Sequence, residues 1–203
     1  MPTIKHKVFA YITHGGRLLV FGHPDFPETG IQVPAGTVGE GEDPDEAVMR
    51  EAVEETGLKG LRLQAYLGEA EFCCRERDEM NCRRFYHLTC DDQLPERWRH
   101  QETHPSDGTT EPITFEFFWV RLPDAVPPLA PGHDAQVRDV LDHPFFWRQL
   151  APHESLLAPR PLLSKSASKA PLHRRRFRDC EESPAARRRV RCAADGGGSK
   201  LTA

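Results

Sequence analysis

The stretch from Gly36 to Leu58, GTVGEGEDPDEAVMREAVEETGL, constrains this chain more than any other. Residues 40–55 hold eight acids (Glu40, Glu42, Asp43, Asp45, Glu46, Glu51, Glu54 and Glu55) and one base, Arg50. Asp43 can cap free backbone N–H groups, Pro44 suits the first helical position, and Glu46 stands three residues after the cap. Gly57 is a natural C-terminal stop. The pattern predicts a helix from Pro44 to about Thr56. At about 100° per residue, Glu51, Glu54 and Glu55 share one arc of about 100°. Val48, Met49, Ala52 and Val53 fill the next arc, so the helix is expected to carry a core face and a carboxylate face.

Such a helix is under electrostatic load. Like charges three or four residues apart destabilise it by roughly 0.2–0.5 kcal/mol per pair. A solvated acidic face is the bland reading. The sharper one is that cations neutralise the cluster, and hard divalent ions such as Mg²⁺ or Mn²⁺ suit carboxylate oxygens. Arg50 stands four residues before Glu54 and can also bridge to Glu42, orienting the preceding loop against the helix.

The spacing decides between them. Gly36, five residues, Glu42, seven residues and then Arg50-Glu51-Ala52-Val53-Glu54-Glu55-Thr56-Gly57-Leu58 matches the Nudix box at every defining position. From average residue frequencies, a chance match in a chain of this size is below about one in a million. On these residues the chain resembles the Nudix hydrolases. The resemblance implies hydrolysis of a nucleoside diphosphate linked to another moiety, with Mg²⁺ or Mn²⁺ as cofactor. It implies Glu51, Glu54 and Glu55 as metal ligands, with a backbone carbonyl around Gly36 as a further one. Glu51 or Glu54 is then the base, and Arg50 and Glu42 are the orienting pair. The chemistry agrees: carboxylates alone repel a pyrophosphate, whereas bound metal reverses the sign and activates water. A carboxylate in reach takes the proton.

The rest of the chain is read by period. Lys7–Ile12 and Arg17–Phe21 are apolar runs split by His14-Gly15-Gly16, a hairpin signal. Ile31–Val33 reads as a short strand ending at Pro34-Ala35-Gly36. Leu61–Tyr66, Ala70–Cys74, Arg84–Cys90 and Ile113–Leu122 also read as strands, the last as a central one. Asp91–Pro112 reads as a long polar loop, and a second helix is expected around Ala135–Leu141. Strands interleaved with helices give an α/β class, and the resemblance implies a Nudix-type α/β/α sandwich with a mixed β-sheet. The expected domain is residues 1–150, with a linker and an Arg-rich tail over 151–203.

Charge separates the two parts. Residues 1–158 carry 15 basic and 27 acidic side chains, a net of −12, and residues 159–203 carry 12 and 4, a net of +8. The tail has too little apolar surface to fold alone and is expected to be disordered. Its two Arg clusters, Arg174–Arg178 and Arg187–Arg191, are where nucleic acid could bind; a solvated linker or a segment without a role are the alternatives. No stretch approaches a membrane span and no signal-peptide core opens the chain, and adjacent Cys73 and Cys74 do not resemble a disulfide framework. A cytoplasmic protein is expected. Cys82, His87 and Cys90 could offer zinc ligands but read better as strand residues.

Outside the box, Glu102, Asp107, Glu111 and Glu116 are available as a further acid. Glu116 sits in an apolar strand and needs a partner, in a salt bridge or at a metal. Trp98 can stack on a substrate base or clasp the loop to the core. The Pro and Tyr that mark family members resembling ADP-ribose and dinucleoside-polyphosphate hydrolases are replaced by Cys73 or Cys74 and by Arg75 or Glu76. The coenzyme A signature is not evident in residues 1–35. The expected partner is therefore a small nucleotide-type diphosphate of open identity, and no feature sets an oligomeric state. The competing function is a catalytically silent Nudix domain that senses nucleotides or binds RNA; three intact glutamates speak against it.

Overall fold

The computed structural model of the chain describes residues 3–74, 78–91, 94–102 and 112–149. The expected tail lies outside the described residues. One mixed sheet organises the rest. Its strands are β1 (Thr3–His14), β2 (Arg17–Gly22), β3 (Ala35–Thr37), β4 (Leu61–Cys74), β5 (Glu79–Cys90), β6 (Arg97–Glu102) and β7 (Ile113–Arg121). They run in the order β4-β5-β1-β2-β7-β6, with β3 paired to β1. β1 and β5 are parallel and the remaining pairs antiparallel. β1 meets β2 only at Thr13 and His14, which leaves the same edge open for β3 at Lys7–Phe9.

Alternation along the inner strands makes two cores. Val8, Ala10, Ile12, Leu19, Phe21, Tyr86, Leu88, Phe115 and Phe117 face helix α1 (Pro44–Thr56), meeting its Ala47, Val48 and Ala52. Phe9, Tyr11, Leu18, Val20, Phe85 and Val120 face the other way, toward Val140 of α2 (Val137–Asp142) and Phe146 of α3 (Pro144–Arg148). Strands buried on both faces are apolar at successive positions, as the FAYI and LLVF runs are. The result is the expected sandwich of helix, sheet and helix.

Helix α1 has the expected bounds. Asp43 accepts a hydrogen bond from the Asp45 amide (2.8 Å), Pro44 opens the helix, and Gly57 ends it in the left-handed conformation (φ 73°). Other boundaries moved. Ile31 and Gln32 make only isolated bridges, and the third strand begins after Pro34, which has no N–H to give a ladder. The two strands expected over 61–74 are one, because bulges between Leu63 and Ala65 and between Tyr66 and Gly68 shift its register without ending it. β5 starts at Glu79, five residues before the expected start. β7 is second from the β6 edge rather than central. α3 was not expected.

The largest departure is β6, inside the expected loop. RWRHQE holds one apolar residue, so its period of two is hidden, yet only one of its faces is covered. On β5, Cys90 joins the α1-side core, whereas His87 turns to Thr13 and His143 on the opposite face. Cys82, His87 and Cys90 are thus strand residues on two faces, not one ligand set.

Candidate active site

Helix α1 lies along the outer edge of β3, and the ladder explains why. The Ala10 amide donates to Pro34 O (2.8 Å) and the Val38 amide to His6 O (2.9 Å), which makes Val8 and Gly36, midway between, a hydrogen-bonded pair. The N–H and C=O groups of Ala35 and Thr37 must then point away from β1. Two carboxylates meet them there. Glu55 Oε2 accepts from the Ala35 amide (3.1 Å) and Glu51 Oε1 from the Thr37 amide (3.0 Å). Both glutamates are buried, at 7% and 3% exposure.

Gly36 makes this approach possible. A β-carbon there would lie 1.8 Å from Glu51 Cδ and 2.1 and 2.2 Å from its two oxygens. The expected role of Gly36 as a metal-binding carbonyl is corrected by the register, which turns that carbonyl to Val8. Along the carboxylate edge the carbonyls are those of Ala35 and Thr37, and Thr37 O already accepts from Arg50 Nη2 (3.1 Å). Ala35, one residue before Gly36, is therefore the position whose carbonyl is turned to the carboxylate edge, because strand pairing decides which carbonyl faces outward.

Arg50 binds the acids together. Its Nε and Nη2 donate to Glu42 Oε1 (2.7 Å) and Oε2 (2.9 Å), a bidentate pair. Its Nη1 lies 3.0 Å from Glu51 Oε1 and 3.0 Å from Glu54 Oε2. Glu42 Oε2 also accepts from the Gly39 amide (2.7 Å), which ties the loop to the helix as expected. The hydrogen bonds from Arg50 hold the Glu42 carboxyl below its usual range, and Glu42 in turn raises the Arg50 guanidinium. Burial pushes Glu51 up despite the opposing pull of Arg50.

The helix is rotated from the expected setting. Ala47, Glu51 and Glu55 are buried with Val48 and Ala52, whereas Val53 is exposed. The buried arc thus includes two of the three carboxylates. Apolar periodicity could not show this, because these glutamates are satisfied by backbone amides of β3.

The C-terminal turn of α1 is clamped by β6. Trp98 Nε1 donates to Thr56 O (3.1 Å), and its indole stacks on Phe117 with centroids 5.2 Å apart. His100 Nε2 lies 3.0 Å from Glu54 O. Of the two readings of Trp98, the structure thus shows the clasp. His100 was not singled out, since nothing in a polar run announces it.

Glu116 does not join the carboxylates. It alternates with Phe115 and Phe117, so it projects from the face opposite α1, where Arg97 Nη1 (2.7 Å) and Arg99 Nε (3.2 Å) pair with it. Those arginines, Arg99 first, lower its carboxyl. Glu111 and Asp107 lie outside the described residues.

The donors at the β3 edge are all oxygen: the Glu51 and Glu55 carboxylates and the Ala35 carbonyl, with Glu54 one turn from Arg50 on the same helix. Such a set fits a hard divalent cation. Among the described residues no three His, Cys, Asp or Glu side chains are yet arranged around a common point. Glu54 is half exposed at 48% and can turn from Arg50 toward the other two.

The model of the NUDIX domain family matches residues 5–141. A MutT NUDIX hydrolase from Burkholderia pseudomallei shares the fold, with a TM-score of 0.51 and 22% identity over 68% of this chain and 98% of that one. A UDP-X diphosphatase gives 0.49 and 17% over 69% of this chain and 62% of that one. A bifunctional NMN adenylyltransferase/ADP ribose pyrophosphatase from Francisella tularensis, complexed with AMP and a Mn ion, gives 0.47 and 17% over 70% and 42%. No curated protein matches the chain.

Proposed function

The chain belongs to the NUDIX domain family, and from that premise we propose that it is a divalent-metal-dependent hydrolase that cleaves the pyrophosphate bond of a nucleoside diphosphate linked to another moiety. The observation that carries this reading is the anchoring of Glu51 and Glu55 on backbone amides at the outer edge of β3, with Glu54 held on the same arginine as Glu51. A glutamate buried on an amide is costly to keep anionic, and a purely structural helix has no use for two side by side.

Mg²⁺ or Mn²⁺ would be held by Glu51, Glu54, Glu55 and the Ala35 carbonyl, and would supply the positive charge that lets a pyrophosphate approach these acids. The protein does the rest by positioning. Arg50 fixes Glu51 and holds Glu54 nearby until it turns toward the other two, and Glu42 fixes Arg50. The amides of Ala35 and Thr37 hold two carboxylates before substrate arrives, so little reorganisation is needed during reaction. Glu51 or Glu54 accepts the proton of the attacking water. Trp98 and His100 hold the helix end that carries Glu54.

A panel of nucleoside diphosphate derivatives incubated with Mg²⁺ or Mn²⁺, with product identification, tests the reading. Turnover should require the metal and fall at least about a hundredfold in Glu54→Gln. If no member is hydrolysed, or Glu54→Gln works as fast as the wild type, the chain is a silent nucleotide-binding module instead. A cytoplasmic location goes with this reading, since nucleotide-type diphosphates are intracellular metabolites.

A further inference from the structure

On the face of the sheet away from α1, Arg83 of β5 is buried at 9% exposure. Its guanidinium carbon lies over two aromatic rings, 3.8 Å from the Phe72 centroid and 5.0 Å from that of Phe9. Nη1 donates to Pro131 O (2.8 Å). Nε has no acceptor, and among the described residues no carboxylate pairs with Arg83. Buried arginines are almost always paired. Burial lowers this one to about 10, Cys74 and Tyr11 opposing the shift.

The stacked rings do not remove the need. A ring face attracts a guanidinium charge but gives its in-plane N–H groups no acceptor. The Nε edge therefore calls for an in-plane acceptor, and a carboxylate or phosphate matches that fork.

The register relates this place to the carboxylate edge. Arg83 pairs with Lys7, and Lys7 pairs with Thr37, whose amide holds Glu51. Two strand spacings, about 10 Å, separate the rows. We propose that the Nε edge of Arg83 is a specificity site that takes a carboxylate or phosphate carried by the part of the substrate beyond the diphosphate. This rests on the hydrolase reading above and adds to it a substrate class: diphosphates whose second moiety is itself anionic.

The test uses two pairs of compounds that differ by one charged group: UDP-glucuronate against UDP-glucose for carboxylate, and NADP against NAD for phosphate. Binding to the full chain is measured calorimetrically with Ca²⁺, and product formation separately with Mg²⁺. In at least one pair the charged member should bind at least tenfold tighter, and the responding pair identifies the group. Arg83→Met should bring that ratio below twofold while leaving the neutral member's affinity unchanged, and should melt no lower than the wild type. Arg83→Lys, which keeps the charge but loses the planar fork, should lower the ratio at least threefold, and it decides the matter if Arg83→Met does not fold. A wild-type ratio near one in both pairs overturns the proposal. So does a ratio unchanged in the folded variant, or an equal loss for both members. If the charged preference stands but nothing is hydrolysed, the site holds and the hydrolase reading fails. If both members are hydrolysed without preference, the reverse is true.

Discussion

Arg50 and Arg83 sit on opposite sides of one strand, β1, and present opposite solutions to the same chemistry. Arg50 is partly exposed and touches Glu42, Glu51 and Glu54, so its charge is matched several times over. Arg83 is more buried and has one backbone carbonyl and two phenyl rings. A guanidinium that holds its own protein together is surrounded by acids. One set against rings, with a single backbone carbonyl as acceptor, has no counter-charge, and burial works against it. The difference separates a residue that builds a site from a residue poised to receive something.

The sharpest way to break the contrast is at the two glycines that touch these sites. Gly36→Ala forces a methyl into the space of the Glu51 carboxylate, itself pinned between the Thr37 amide and Arg50. Stability should fall by about 3 kcal/mol and turnover by about a hundredfold, measured by urea unfolding and initial rates. Gly132→Ala also makes a close contact, 2.4 Å, but with Nη1 of Arg83, the end of a flexible chain. If both changes cost the same, the carboxylate edge is not the more rigid site.

Removing the cation is the next test. Arg50→Met leaves Glu51 buried beside Glu54 with their shared counter-charge gone. A loss of about 2 kcal/mol is expected, below the value for a fully buried pair because Arg50 is partly exposed. Added Mg²⁺ should raise the melting temperature more in this variant than in the wild type, since the ion then has more unpaired charge to neutralise. Equal shifts would count against Glu51 and Glu54 as ligands.

Acid titration probes the Arg83 side. His133 accepts from the Val33 amide through Nδ1 (3.3 Å) and is lowered to about 3, by burial first and by Arg83 second. A folded pKa below the unfolded 6.5 means that the unfolded chain binds the proton first. Stability is therefore full above about 6.5 and drains away as pH falls toward 3. In Arg83→Met one of the two causes is gone, so the His133 pKa should rise and the window narrow. Proton NMR titration of the imidazole would show it, and an unmoved value would place Arg83 too far away to matter.

The smallest effect belongs to Gly132→Ala itself. Its positive φ of 75° costs an alanine about 1 kcal/mol, and the Arg83 side chain can give way.

Much of this was legible beforehand for identifiable reasons. Helix α1 is bounded by local chemistry, a cap at Asp43 and a stop at Gly57, and neither depends on what the helix packs against. The Arg50–Glu42 pair followed from spacing and from a match to a known box. β6 was invisible because an edge strand covered on one face needs only Trp98 and His100 turned inward, too few to show a period. Glu116 looked available because sequence does not say which face of β7 it takes. Arg83 carried no signal at all, since either arginine of RRFYHL reads as a surface residue until the strands beside it are known.

The sequence by itself determined the carboxylate helix, its loop and the family, because caps, spacing and charge act over a few residues. The tertiary structure alone decided that Glu51 and Glu55 are buried on β3, that Ala35 rather than Gly36 turns its carbonyl to them, and that Arg83 lies unmatched two strands away. Each of these depends on strand register, which is set by pairing between distant segments, and a shift of one residue would reverse every face.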